Sequence, residues 1–293
     1  NAGLARRGAG LMVATTTPRP AGESLSPRAL AAFYGAKFRT EGALQLAYRG
    51  SILIWLFAII SRPLISIVVW TTVARSQGGS AGGFTEGEYA AYFIILMVVN
   101  QLTFSWHMWE MGWRVQSGLF SGILLRPIHP IHNDIVENLV FKVLTLVPLV
   151  PVAVIFSVIF DAEYAWKWPN LVALAPAIVL AALLVFLLEW TIGLLAFWIT
   201  KTNALFQLYS SVYFFLTGVV APLALLPEPA RIAASILPFR WMLSFPVETA
   251  LGTSGPAEIA TGFLMQLVWI GLLLGLLRLV WSRAVSRYSA VGA

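Results

Sequence analysis

Leu171 to Thr200 reads LVALAPAIVLAALLVFLLEWTIGLLAFWIT, with Glu189 as its only charged residue. A helix needs about 20 mostly apolar residues to cross ~30 Å of hydrocarbon. A helix lying on a soluble core shows a polar face at a period of 3.6 residues, and this stretch has none. It is therefore read as a membrane span, and four further runs meet the same test: Ser51 to Val73, Tyr89 to Trp109, Leu139 to Phe160 and Gly262 to Trp281. Ala204 to Leu226 is also apolar but is broken by Gly218 and Pro222. Counting it gives six transmembrane helices in an all-α integral membrane protein, with both termini on one side.

Composition leads to the same class. Of 293 residues, 59% are hydrophobic and 11% charged, and mean hydropathy is +0.81. Soluble domains run about 45–50% apolar and about 25% charged. The basic residues fall between the apolar runs and form no clustered basic face. This excludes a nucleic-acid partner and makes lipid the surroundings. With the N-terminus cytoplasmic, the inner side holds 14 Lys and Arg against 4 outside, with Arg62 inside the first span. That bias fits the positive-inside rule.

Several segments lie outside the spans. Residues 1–27 read as a flexible tail with no signal peptide; the chain begins at Asn1, and Met12 is a candidate initiator. Residues 28–293 form the transmembrane domain. Within Arg28 to Tyr48, Leu30, Phe33, Tyr34, Phe38 and Leu44 gather near one helical face, as in an interfacial helix. Gly112 to Asn138 is the only long inner connection. A helix is expected to restart there near Asn133, a good N-cap, with Asp134 and Glu137 complementing its dipole. Pro222, Pro227, Pro229, Pro238 and Pro246 forbid a continuous helix from Pro222 to Gly252. Short re-entrant helices shielded by protein are expected there, between spans five and six.

Little chemistry is written into the chain. No G-x-x-x-x-G-K-[ST] phosphate loop occurs, nor an H-E-x-x-H or G-x-S-x-G motif. Zero Cys excludes thiolate metal sites and thiol catalysis. His129 and His132 flank Pro130 without a third strong ligand, so no metal site and no catalytic residue is expected. Gly118-x-x-x-Gly122 and Gly271-x-x-x-Gly275 permit close helix approach, though weakly as signals. Two ionisable residues inside spans, Arg62 and Glu189, carry more information, because such groups usually face the bundle interior or a wet pathway. They are expected to pair or to line a common pathway, against snorkelling to an interface.

In order along the chain, Tyr48-Arg49, Gly82-Gly83-Phe84-Thr85, Gly118-Leu119 and Leu124-Leu125-Arg126-Pro127-Ile128 stand before or between spans. Ala196-Phe197-Trp198, Gly218, Pro222-Leu223, Leu237-Pro238-Phe239, Phe245-Pro246 and Leu251-Gly252 follow. From Arg49 onward this resembles the membrane subunit of ABC-2-type exporters, within the viologen- and drug-exporter-like permeases. The resemblance implies a multidrug-efflux-type subunit of the bacterial inner (plasma) membrane. It implies a half-transporter that pairs with a second permease subunit, as homodimer or heterodimer. Separate cytoplasmic ABC ATPases would bind ATP and Mg, this chain holding no cofactor. The ATPase-coupling segment is implied at Gly118, Leu124, Leu125, Arg126, Pro127, Ile128 and His129. The outer gate is implied at Pro222, Pro227, Pro238, Phe239, Phe245 and Pro246, and the subunit interface on the first and fifth spans. The cargo suggested is a hydrophobic or cationic small molecule. An ion-coupled secondary transporter, with Arg62, Glu189, His107 and Glu110 as coupling candidates, and a membrane-embedded lipid-modifying enzyme are the competing classes. No internal repeat supports the former.

Overall fold

The computed structural model describes residues 26–126, 128–199 and 201–287. Most of the expected tail, and Pro127 of the expected coupling segment, lie outside these residues. The described chain is all-α apart from one two-residue hairpin, β1 (Ser80–Ala81) and β2 (Phe84–Thr85).

Helix α1 (Pro27–Ala47) starts at Ser26, whose side chain accepts from the Ala29 N–H at 3.3 Å. It lies along α6 and leaves Phe38, Leu44 and Leu46 exposed. Helix α2 (Arg49–Ser76) keeps Pro63 inside its length. Helix α3 (Glu86–Thr103) opens with a capping box in which Thr85 and Glu88 satisfy each other's backbone donors. It breaks at Phe104–Trp106 and resumes as α4 (His107–Gln116). After the short α5 (Phe120–Leu124) come α6 (Ile131–Ile159) and α7 (Trp168–Gly193), the latter prolonged by a 3₁₀ turn, Leu194–Phe197.

Among the described residues, five helical segments are long and apolar enough to cross a membrane: Gly50–Ser76, Glu86–Gln116, Ile131–Ile159, Trp168–Phe197 and Pro256–Arg287. The sixth expected run differs. Helix α8 (Asn203–Leu216) has 14 residues, about 21 Å at ~1.5 Å per residue, too short to cross as one helix. Gly218 stops it, because the chain there takes φ +85°, a conformation costly for residues with a Cβ. Pro222 then leads into a 3₁₀ turn, Leu223–Leu225. Three short helices follow, α9 (Glu228–Ile236), α10 (Phe239–Met242) and α11 (Ser244–Leu251), before α12 (Pro256–Arg287).

Contacts locate this irregular part. Thr202, before α8, accepts from the Gln116 side chain at 3.0 Å. Past the break, Tyr92 donates to the Gly218 carbonyl at 2.8 Å and Trp70 to that of Val220 at 2.9 Å. Leu225 reaches the β1–β2 turn, where a Cβ on Gly82 would strike it. The chain then returns inward. Gln266 of α12 donates to the carbonyls of Ala177 (α7) and Trp241 (α10), each at 3.0 Å. By Gly252, φ +79°, it lies against the Ala165 carbonyl in the α6–α7 loop.

Two buried clusters hold the bundle together. One centres on Trp190, Phe206, Phe120 and Met108, the other on Tyr89, Phe93, Ile67 and Leu149. Helix α7 packs against α12, α4, α11 and α3 and is the central element. The weak G-x-x-x-G reading at Gly271 and Gly275 has no counterpart within this chain. A Cβ at either glycine would meet nothing within 4 Å.

Candidate functional site: a polar cavity and the charge network beside it

A cavity of about 320 Å³ opens between α2, α3, α4, α6, α7 and α8. Its wall is largely aromatic and Met, with Trp55, Trp109, Phe141, Tyr209, Tyr213, Met97 and Met108. Polar groups reach it from Asn100, Gln101 and Ser105, and charge from Arg62 and Glu189. Tyr213 donates to the Asn100 side chain at 3.3 Å, and Gln101 donates to Thr145 at 2.6 Å. These contacts fix two of the polar groups in place.

Glu189 and Arg62, the intramembrane charges picked out by the sequence, line this one cavity. No ion pair joins them among the described residues. Glu189 is 7% exposed, and one of its oxygens accepts only a long 3.4 Å bond from Tyr209. The other oxygen is buried without a partner. Arg62 is exposed on α2, whose apolar Leu53, Ile54 and Phe57 are also bare.

Directly beside the cavity lies a charge network that sequence reasoning missed. Asp134, fully buried in the first turn of α6, accepts from Arg114 at 2.7 Å and from the Trp190 indole at 2.8 Å. Arg114 also pairs with Glu110 one turn earlier, and with Glu137 at 3.5 Å. Trp106 donates to Glu110 at 3.1 Å. A buried guanidinium with three carboxylates nearby meets the requirement that buried charges be paired and hydrogen-bonded. It ties α4, α6 and α7 together at one end of the bundle. His107, Asp134 and Glu137 bring ligand atoms within 4.8 Å of one another. However, Arg114 and Trp190 already occupy both Asp134 oxygens, so the positive charge there is the guanidinium's. The expected N-cap is corrected: α6 begins at Ile131, two residues before Asn133, and Asp134 serves Arg114 and Trp190 rather than the helix dipole alone.

Above this network sits the expected coupling segment. Phe120 of α5 is fully buried against Phe197 and Trp281, with ring centroids 5.2 and 6.2 Å apart. It anchors the turn that follows. Gly118 precedes α5 at φ +75° and Leu124 ends it. Leu125, 88% exposed, and Arg126 then project outward. Ile128 is half-buried. His129 packs between Trp281 and Trp190, at 4.3 and 5.7 Å. Burial here holds its pKa below the ordinary histidine value; the His132 charge adds to that and Asp134 opposes it. Tyr34 of α1 hydrogen-bonds His132 Nδ1 at 2.9 Å, so α1 reaches the start of α6 beside this loop.

Of the residues expected at the opposite end, Pro222, Pro238, Phe239, Phe245 and Pro246 are buried and Pro227 is exposed. Arg240 bridges to Glu248 at 3.0 Å, and Ser244 donates to the Thr217 carbonyl at 2.7 Å. These bonds fasten α10 and α11 to each other and to the end of α8.

The description "ABC-2 family transporter protein" matches residues 60–292. The chain belongs to the ABC-2 transporter family. No curated protein matches it. Membership makes it a multi-pass membrane transport subunit whose family works with ABC ATPase subunits. The charge network and the projecting loop lie within the matched range, as does the cavity apart from Trp55, Ala58 and Ile59. Helix α1 lies outside it.

Proposed function

We propose that this ABC-2 chain is the permease subunit of an ATP-driven exporter in a bacterial inner membrane. The single observation that carries the reading is the loop at Gly118 to His129. Its buried Phe120 makes a fixed base, and Leu125 stands bare beside Arg126 at the end tied by Arg114. A bare apolar side chain on an anchored turn suits a groove of a partner protein, with Arg126, a residue type enriched at interfaces, meeting a carboxylate or carbonyl there. Closure of the ATPase on ATP would then act on α4, α6 and α7 together, through the Arg114 network.

In this reading the chain crosses the bilayer six times. Helix α8, the Gly218 break and the 3₁₀ turn make the fifth crossing between them, supported by contacts that start at Gln116 and end at the β1–β2 turn. Helices α9 to α11 then form the outer re-entrant hairpin that gates the pathway, around Pro222, Pro227, Pro238, Phe239, Phe245 and Pro246. Both termini are cytoplasmic. A second permease subunit covers α2 and the outward face of α8, where Leu53, Ile54, Phe57, Leu208 and Phe215 are exposed. That subunit closes the cavity on the side of Arg62. The aromatic wall and the buried Glu189 suit a hydrophobic or cationic small molecule.

The test is co-expression with a separate ABC ATPase in membrane vesicles. ATP-dependent movement of such a molecule, lost when the ATPase is inactive, is the expected result. Movement driven by an ion gradient alone, without a bound ATPase, would replace this reading with that of a secondary transporter.

A further inference from the structure

The break at Phe104–Trp106 interrupts the chain's second long apolar segment inside the bundle. Interrupted helices at membrane depth expose backbone that must be re-satisfied, and here Asn138 donates to the Phe104 carbonyl at 3.2 Å. The break also places two buried polar side chains between the cavity and the charge network. Ser105 is 3% exposed and His107 1%. Ser105 Oγ lies 3.2 Å from His107 Nδ1, and Ser105 lines the same cavity as Glu189. His107 Nε2 is buried without a partner, and a ring nitrogen of His107 stands within 4.8 Å of a Glu137 oxygen, a gap one bridging water closes. The line of polar groups therefore runs from a carboxyl on the cavity wall to a carboxylate whose side chain is 23% exposed.

We propose that Ser105 and His107 form a proton relay that lets Glu189 exchange its proton with water at the Arg114 end of the protein. The Glu189 carboxyl gives its proton to Ser105 Oγ while the Ser105 hydroxyl proton passes to His107 Nδ1. His107 then carries protons on both nitrogens and releases the one on Nε2 to the Glu137 carboxylate. One proton has moved: Glu189 is left ionised, Glu137 neutral and Ser105 unchanged, and Glu137 passes the proton to water. His107 now carries its proton on Nδ1, and a turn of the ring restores the starting tautomer before the next proton follows.

Asp134 is not the terminal acceptor, because Arg114 and Trp190 hold both of its oxygens. The other groups facing the relay are Arg114, Lys142 and Asp134 around His107, and Lys142, Tyr209 and Tyr213 around Glu189. Trp106 stacks on the His107 ring at 4.8 Å and Phe186 meets it edge-on at 5.3 Å, which keeps the imidazole in line. The relay explains two buried polar atoms that otherwise have no purpose, Glu189 Oε2 and His107 Nε2, since a proton carrier needs an open position on each side.

The test is time-resolved infrared spectroscopy of the purified full chain in lipid nanodiscs after a pH jump, with no ATPase and no cargo. It is therefore independent of the proposed exporter function. The protonated-carboxyl C=O band assigned to Glu189, by its loss in Glu189→Gln, is expected to respond to the jump. Ser105→Ala and His107→Phe should slow that response by on the order of 10²-fold, the scale of a positioned acid–base group, and Ser105→Thr should restore it. Should His107→Phe fail to fold, the serine pair decides alone. A Glu189 band that never titrates, or one that responds at the parental rate in Ser105→Ala, overturns the relay.

Discussion

Replacing Asp134 by Ala removes the acceptor on which the Arg114 network converges. The Trp190 indole N–H, in a fully buried ring, would lose its 2.8 Å partner, an unpaired donor costing about 1–3 kcal/mol. Breaking a buried ion pair costs about 3–5 kcal/mol when the surviving charge is stranded. Arg114 is not fully stranded, because Glu110 and Glu137 remain beside it. The net expectation is a loss of about 3–5 kcal/mol. Asp134→Asn keeps one acceptor oxygen and the shape of the side chain, and should cost about 1–2 kcal/mol. Glu137→Gln changes a partly exposed group 3.5 Å from Arg114 and should cost under about 1 kcal/mol. Thermal unfolding of the purified subunit in one detergent, followed by tryptophan fluorescence, gives the ranking directly. Equal melting for Asp134→Ala and Glu137→Gln would refute the view that Asp134 is the centre of the network.

Three further outcomes follow from the geometry. Leu125→Ala and Arg126→Ala should leave the subunit folded and inserted while lowering transport and substrate-stimulated ATP hydrolysis; parental rates with the ATPase bound would remove this loop's role. Gly218→Val imposes a β-branched residue at φ +85° and drives its Cβ into Tyr92 and Ser244. It should destabilise by about 3 kcal/mol, read as a lower melting temperature, and unchanged melting would contradict the packing of this break. His129 has a lowered folded pKa, so the unfolded chain takes up its proton first. The stability this brings is present above the unfolded value of about 6.5 and is lost as pH falls through the folded one. His129→Phe should flatten the melting temperature between about pH 7 and 5, whereas an unchanged slope would place that acid sensitivity elsewhere.

Much of the architecture was legible because it depends on composition over long windows. Leu171 to Thr200 needs no partner to be read as a span. The failures share another cause. Phe104-Ser105-Trp106 carries no Gly or Pro, so nothing local announces the helix break; tertiary contacts, such as that of Asn138 with Phe104, support it. Helix α8 ends at the Gly218 and Pro222 break that the sequence marked, whereas hydropathy alone counts the residues on both sides as one run. Arg114, Asp134 and Trp190 are separated by 20 and 56 residues, so no spacing rule joins them; of the network's ion pairs, Glu110 and Arg114 alone stand four apart on one helix. Glu189 stood out because a single charge in an apolar run is costly wherever it points. Its neighbours Ser105 and Tyr209 were invisible until the helices were assembled.

The central claim is that the loop at Leu125 seats in a separate ATPase. This cysteine-free chain allows a direct measurement. Leu125→Cys, co-purified with the ATPase and treated with a short bifunctional thiol reagent, should cross-link to a cysteine placed in the ATPase's membrane-facing groove. Trp168→Cys, at an exposed position at the opposite end of the bundle, should not. Cross-linking from Trp168→Cys but not from Leu125→Cys would contradict the claim.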